Sequence, residues 1–264
     1  MTQSSPLATF ALFATLLADA AGPLLRRYFR TPLLTETKAD HSPVTEADRE
    51  AEAMMRALIM QRYPDHGIIG EEMGSHRADA EWVWVLDPID GTKAFMAGVP
   101  TFGTLIALCH KGVPVVGIID QPISCERWIG IHGQPTQLRG RPVNSRAASS
   151  VSDLGAALLA ATAPDMFSTG AERTGFAQLQ QACRFTRFGL DCYAYGLLAA
   201  GQVDLVCEAS MKPHDIMALI PVIDGAGGIV TDWRGKPFTL DGQATQVLAA
   251  RNQDLYRSAL ALLA

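Results

Sequence analysis

Apolar residues run almost unbroken from Pro6 to Leu25 and end at Arg26-Arg27. This predicts a long helix with Ser5 as cap, Pro6 in the first turn and cations at its carboxyl end. Thr45-Glu46-Ala47-Asp48 opens a second helix to about Arg62, with Thr45 as cap, Pro64 beyond its end, and Ala51, Met54, Met55, Leu58 and Ile59 on one face. From Trp82 to Leu138 the period shortens. Val83 to Leu86, Thr104 to Cys109, Pro114 to Asp120 and Arg127 to Ile131 are β-branched or apolar runs parted by the turn signals His110-Lys111-Gly112 and Gln121-Pro122, which predicts an antiparallel meander. After Pro142 short strands near Ala157 to Ala161, Val203 to Cys207, Gly228 to Asp232 and Val247 to Ala249 alternate with helices. The helices are expected near Ala171 to Cys183, Tyr193 to Ala200, Asp215 to Asp224 and Gln253 to Leu263. The expected architecture is helices on mostly antiparallel sheets, in two halves joined near Val143.

The 264 residues are 48% apolar and 19% charged, which excludes fibrous and disordered classes and allows a sizeable core. No stretch reads as a Ser/Gly/Pro linker, so one compact body is expected. Net charge is −5 with scattered Lys and Arg, which argues against nucleic acid or an anionic membrane as partner. An acidic protein still handles phosphate where bound cations invert the local sign. The five cysteines, Cys109, Cys125, Cys183, Cys192 and Cys207, are odd in number and form no C-x-x-C; apolar surroundings and reduced, cytosolic thiols are expected. Pro6 to Ala18 imitates a signal-peptide core and Ala18-Asp19-Ala20 a cleavage site, but Met1 to Ser5 carries no Lys or Arg, and the run is too short to span a bilayer.

The densest chemical signal is Trp84-Val85-Leu86-Asp87-Pro88-Ile89-Asp90-Gly91-Thr92. It reads as a strand that Pro88 stops, with Gly91 permitting a tight turn, so that Asp87 and Asp90 converge with the Ile89 carbonyl between them. Three hard oxygens there suit Mg²⁺, and the Gly91 and Thr92 amides would open a helical turn, a ready anion site. The plainer alternative is an Asx turn with solvated aspartates. Two further acidic clusters favour the metal. Gly70-Glu71-Glu72 follows Ile68-Ile69, and Lys212-Pro213-His214-Asp215 places Asp215 in the first turn of a helix faced by Ile216, Leu219, Ile220 and Ile223. Alone, Glu71-Glu72 would read as a polar loop, Asp215 as a dipole-complementing acid and Asp48 as the third residue of a capping box.

Together these pieces, with Lys38 and Ser42-Pro43-Val44 before Thr45 and Ala226-Gly227-Gly228 after Asp215, resemble the inositol monophosphatase family of Mg²⁺-dependent, lithium-sensitive phosphatases across nearly the whole chain. The resemblance implies an α+β fold, a layered αβαβα sandwich, as a single domain over 1–264 with a metal-site half of about 1–142 and a substrate half of about 143–264. It implies two or three Mg²⁺ ions. Glu71, Asp87 and the Ile89 carbonyl would hold the first and Asp87, Asp90 and Asp215 the second, with Gly91 and Thr92 binding phosphate. Glu71 and Thr92, with Asp48 behind Thr92, would orient the attacking water, so His41, His66, His76, His110 and His132 need no catalytic role. The family usually has Trp before the last metal aspartate; His214 stands there, which bears on the substrate pocket.

Asp90-Gly91-Thr92-Lys93, Phe102 to Leu108, Gly189-Leu190-Asp191-Cys192-Tyr193-Ala194-Tyr195 and Glu208 with Lys212 to Asp215 are similar to the branch that hydrolyses histidinol phosphate in histidine biosynthesis. That implies Asp191 and Glu208 at the substrate rim, facing the ammonium of a small phosphomonoester. The competing expectations are that Asp191 caps its helix and Glu208 pairs with Lys212. Inositol, fructose-bisphosphate or phosphoadenosine-phosphate hydrolysis are alternatives within the family, and non-catalytic phosphate-ligand binding is a third class. A haloacid-dehalogenase-type phosphatase is disfavoured, since a three-residue carboxylate spacing puts the pair on opposite faces of an extended strand. A cytoplasmic homodimer is the expected form.

Overall fold

The computed structural model describes residues 6–32, 35–37, 43–145, 151–243 and 245–263; Ser5, Lys38, His41 and Ser42 lie outside them. Helix α1 (Pro6–Tyr28) buries Ala11, Ala14, Leu17, Ala18, Ala21 and Leu25, a stripe at three- and four-residue spacing. At 23 residues it is longer than the uncharged run alone suggests, and long and apolar enough to cross a membrane. Its small side chains nevertheless pack with Met55, Ile59, Trp84, Ile106 and Ile118 in one core cluster. Strands β1 (Thr35–Thr37) and β2 (Pro43–Thr45) form a small antiparallel pair. Helix α2 (Glu46–Arg62) then starts from a Thr45/Asp48 capping box.

The first large sheet has eight strands: β3 (Gly67–Gly70), β4 (Ser75–His76), β5 (Trp82–Asp90), β6 (Gly103–His110), β7 (Val113–Gln121), β8 (Glu126–Ile131), β9 (Gln137–Leu138) and β10 (Arg141–Pro142). A short helix α3 (Thr92–Met96) leaves the end of β5. Only β3 with β5 is parallel in this sheet; the rest is the expected antiparallel meander. Alternation along β5 puts Trp84 and Leu86 into the core under α1 and α2, and Val83 and Val85 into the core on the other face.

The second sheet contains β11 (Leu158–Ala161), β12 (Phe185–Phe188), β13 (Leu205–Glu208), β14 (Ile229–Thr231) and β15 (Val247–Ala250). It is mixed rather than mostly antiparallel. β11 runs parallel to β12 and β13, because helices α4 (Gly170–Ala182) and α5 (Tyr193–Ala199) supply the crossovers that parallel pairing requires. The helix expected over Asp215 to Asp224 is two, α6 (Pro213–Ile216) and α7 (Leu219–Gly225). Pro221 has no N–H for the Met217 carbonyl and its ring crowds that carbonyl, which breaks the ladder there. Helix α8 (Gln253–Leu263) packs with α4 on the outer face of the second sheet. Helices α5 and α7 fill the space between the sheets, with Tyr195, Leu198, Val222 and Ile223 against Trp128, Ile119 and Val206. The layers are therefore αβαβα. A Cβ at Gly117 would overlap the Ala218 carbonyl and one at Gly130 the Pro221 carbonyl, so the α7 segment lies with its backbone directly on the first sheet.

Candidate active site

Pro88 does not stop its strand. β5 continues to Asp90 through a bulge between Asp87 and Asp90, and the bulge rather than a chain end brings the two aspartates together. Three bonds hold it: the Ile89 N–H donates to Asp87 Oδ1 at 3.0 Å, the buried Thr104 hydroxyl to the Pro88 carbonyl at 2.8 Å, and the Cys192 N–H to Asp90 Oδ2 at 2.6 Å. Gly91, at φ +85°, takes the left-handed turn that starts α3. The Thr92 hydroxyl donates to the Ile89 carbonyl at 3.2 Å.

Asp215 arrives from α6. Its Oδ2 accepts the Lys212 N–H at 2.7 Å and its Oδ1 lies 3.6 Å from His214 Nε2, so it is a helix-capping acid as well as a member of the cluster. One carboxylate oxygen each from Asp87, Asp90 and Asp215 lie within 4.8 Å of one another. Glu71, whose N–H donates to the Leu86 carbonyl at 3.2 Å, comes within hydrogen-bonding reach of Asp87. Burial, and then Glu71, Asp90 and Asp215, push Asp87 well above the usual carboxylate range. Burial, and then Asp191 and Asp215, do the same for Asp90. Four hard carboxylates that repel one another fit a divalent cation, which offsets their charge with the ligand type Mg²⁺ takes.

Asp48 sits in the first turn of α2, where it closes the capping box with Thr45. Its Oδ2 accepts the Thr45 N–H at 2.8 Å and the Thr45 hydroxyl at 2.5 Å, while its buried Oδ1 has no hydrogen-bond partner among the described residues. Burial raises its pKa to about 6. Asp191 does not cap α5, whose N-cap is Cys192 with no side-chain bond. It takes a left-handed φ of +48° and lies against Gly91, where a Cβ would come 2.8 Å from its Cγ. Burial raises Asp191 to about 6, opposed by Lys93 and Thr101. Glu208 is held by Thr162 and Tyr195 instead of the expected Lys212. Its Oε1 accepts the Thr162 N–H at 2.9 Å and hydroxyl at 2.6 Å, and its Oε2 the Tyr195 hydroxyl at 2.8 Å. Burial takes it to about 7. A cavity of about 120 Å³ is lined by Asp90, Thr162, Asp191, Tyr195, Glu208 and Asp215, among others.

Thr162 is not among the residues the sequence points to, and Thr104, Cys192 and Tyr195 enter there only as members of longer runs with no site role, because all four sit among apolar residues that read as core. Among the described histidines, those other than His214 take packing or surface places: the Trp84 indole N–H donates to His66 Nδ1 at 3.1 Å, His110 Nε2 lies 3.0 Å from Glu81, and His76 and His132 are exposed. Cys109, Cys183, Cys192 and Cys207 are buried free thiols, whereas Cys125 is exposed, against expectation.

The profile of the inositol monophosphatase family matches residues 7–264. The bifunctional phosphatase IMPL2, chloroplastic, of Arabidopsis thaliana is 46% identical over 259 residues, covering 95% of this chain and 74% of that protein. The histidinol-phosphatase of Chlorobaculum parvum is 34% identical over 248 residues, covering 94% of this chain and 93% of that one. Among solved structures, an inositol monophosphatase from Zymomonas mobilis superposes with a TM-score of 0.89 at 45% identity, covering 98% of this chain and 99% of that one.

Proposed function

This chain belongs to the inositol monophosphatase family, and from that premise we propose a Mg²⁺-dependent phosphomonoesterase that hydrolyses histidinol phosphate to histidinol and phosphate. Glu71, Asp87, the Ile89 carbonyl, Asp90 and Asp215 would hold two or three Mg²⁺ ions, which when bound draw charge from the phosphate and acidify a water. The Gly91 and Thr92 N–H groups cradle the phosphate oxygens. Glu71 and Thr92 orient the attacking water, with the Thr92 hydroxyl set by the Ile89 carbonyl. Asp48 acts further back, by capping α2.

The observation that carries the substrate reading is the cavity beside Asp90 and Asp215, walled by two carboxylates, Asp191 and Glu208, outside the proposed metal ligand set. An ammonium on the leaving alcohol gains from two anions; a polyol's hydroxyls gain far less. The similarity to histidinol-phosphatases supports the same choice. Likeness to the Zymomonas mobilis inositol monophosphatase supports inositol 1-phosphate as the second reading. A phosphate-release panel at fixed Mg²⁺, with histidinol phosphate, inositol 1-phosphate, fructose 1,6-bisphosphate and phosphoadenosine phosphate, separates them. Highest kcat/KM on histidinol phosphate is expected; preference for inositol 1-phosphate overturns the substrate, and no turnover of any ester overturns the enzyme. The protein is further taken as a cytoplasmic homodimer, which light scattering checks for its mass.

A further inference from the structure

Helix α2 carries Asp48, Glu52 and Arg56 at four-residue spacing on the side that faces the core, where they are 0%, 0% and 7% exposed. Asp48 belongs to the cap. Glu52 and Arg56 form a buried ion pair, Nε to Oε1 at 2.8 Å, and both reach beyond the helix to the loop that follows β3. Glu52 Oε2 accepts the Glu72 N–H at 2.7 Å and Oε1 the Met73 N–H at 3.1 Å. Arg56 Nη2 donates to the Gly74 carbonyl, which also accepts the Gly70 N–H at 3.0 Å. Gly70 is needed for this approach, since a Cβ there would overlap the Glu52 carboxylate.

Glu71 lies between these anchors. Its own N–H is tied to the Leu86 carbonyl of β5, one residue before Asp87, and the amides that follow it are tied to α2. Core packing gives no reason for the pair: Met73 is 53% exposed, so the loop has little apolar surface to bury. An apolar pair of similar volume on α2 would serve stability as well or better. We propose that Glu52 and Arg56 are positioning residues that hold the 70–74 loop so that the Glu71 carboxylate meets Asp87, and that they thereby set the affinity of the site for divalent metal. This rests on the metal-site reading above.

The test measures Mn²⁺ binding by calorimetry on the folded protein, alongside the Mg²⁺ dependence of phosphate release, for wild type, Glu52→Gln and Arg56→Lys. Losing a supporting hydrogen bond behind a metal ligand weakens binding about 10- to 100-fold. Glu52→Gln should therefore raise the Mn²⁺ dissociation constant and the half-saturating Mg²⁺ by at least about tenfold, with substrate KM at saturating Mg²⁺ within about twofold of wild type. Arg56→Lys keeps the charge but cannot bridge Glu52 and Gly74 as a fork does; it should shift both constants the same way by a smaller factor, and it decides the matter if Glu52→Gln does not fold. A lowered Tm with unchanged Mn²⁺ affinity in the folded variants overturns the proposal. No Mn²⁺ binding by wild type overturns the metal-site reading beneath it.

Discussion

At Asp87 one buried carboxylate faces Glu71, Asp90 and Asp215, so replacing it removes the proposed shared ligand and relieves a repulsion at once. Asp87→Asn should fall below about one-tenth of wild-type turnover at saturating Mg²⁺, while its Tm in EDTA at pH 8 rises, because a carboxyl whose ionisation is opposed by burial and three neighbouring acids is gone. Thermal unfolding and phosphate release on the same variant check both signs. Thr92 poses a different question, since its hydroxyl bond to Ile89 equally suits a turn support. If it orients the water, Thr92→Ala lowers kcat about 100-fold or more with KM nearly constant; a turn support alone lowers Tm and spares kcat. For substrate recognition Asp191 is the cleaner probe. Changing Glu208 to Gln would put an amide donor against Thr162 or Tyr195. Loss of one partner of a desolvated charge pair costs about 2–5 kcal/mol, so Asp191→Asn should lower kcat/KM for histidinol phosphate by about 30-fold or more. Hydrolysis of glycerol 2-phosphate should change far less; a proportional loss on both esters would remove the ammonium-recognition idea.

At the level of elements, the junction of β5 and α3 decides the site. Gly91 combines a left-handed φ with direct contact to Asp191, so Gly91→Ala should cost about 1–2 kcal/mol from the backbone alone and also displace Asp191. A drop in Tm accompanied by a fall in kcat/KM for histidinol phosphate is the expected pair of readings, and a variant with wild-type kinetics would contradict it. The elements legible in the sequence were those whose period was strong: α1, α2 and the meander, where apolar spacing of three to four or of two ran uninterrupted. The bulge at Pro88 reads in sequence as a stop because the missing donor is visible there, whereas the Thr104 hydroxyl that supports the continuing strand lies sixteen residues away, in β6. β12 escaped because Phe185 and Arg187 are exposed and the strand lies at the sheet edge. The break before α7 was announced by Pro221, but the apolar face Ile216, Leu219, Ile220 and Ile223 masked it.

Over the whole molecule, Asp48 and Asp191 sit at about 6 and Glu208 at about 7 through burial, and burial with neighbouring carboxylates holds Asp87 and Asp90 well above the usual carboxylate range. Each of these acids holds its proton more tightly folded than unfolded. Without metal the stability that Asp48, Asp191 and Glu208 confer is therefore full below about pH 4, where unfolded carboxylates begin to ionise, and is lost as pH rises through about 6 to 7, with Asp87 and Asp90 acting in the same direction. In EDTA, Tm should be higher at pH 5 than at pH 8, and saturating Mg²⁺ should narrow or reverse that gap because it binds the deprotonated ligands. A Tm that climbs with pH in EDTA would contradict the arrangement. The clustering of these carboxylates was legible because Glu71, Asp87 and Asp90 follow apolar runs and Asp215 precedes one. Glu52 and Arg56 were not, because charged residues beside Ala51 and Met55 read as the flank of a helix rather than its buried face. The two sets of acids also have different origins in the chain: Glu71, Asp87 and Asp90 come from the loop after β3 and the end of β5 in the first sheet, with Asp215 beside them, whereas Asp191 and Glu208 come from the segment just before α5 and the end of β13. If the proposed roles hold, mutation at the second set is free to exchange one alcohol for another while phosphorus chemistry persists, so a duplicated copy of this gene has a short path to a new metabolite and little to relearn.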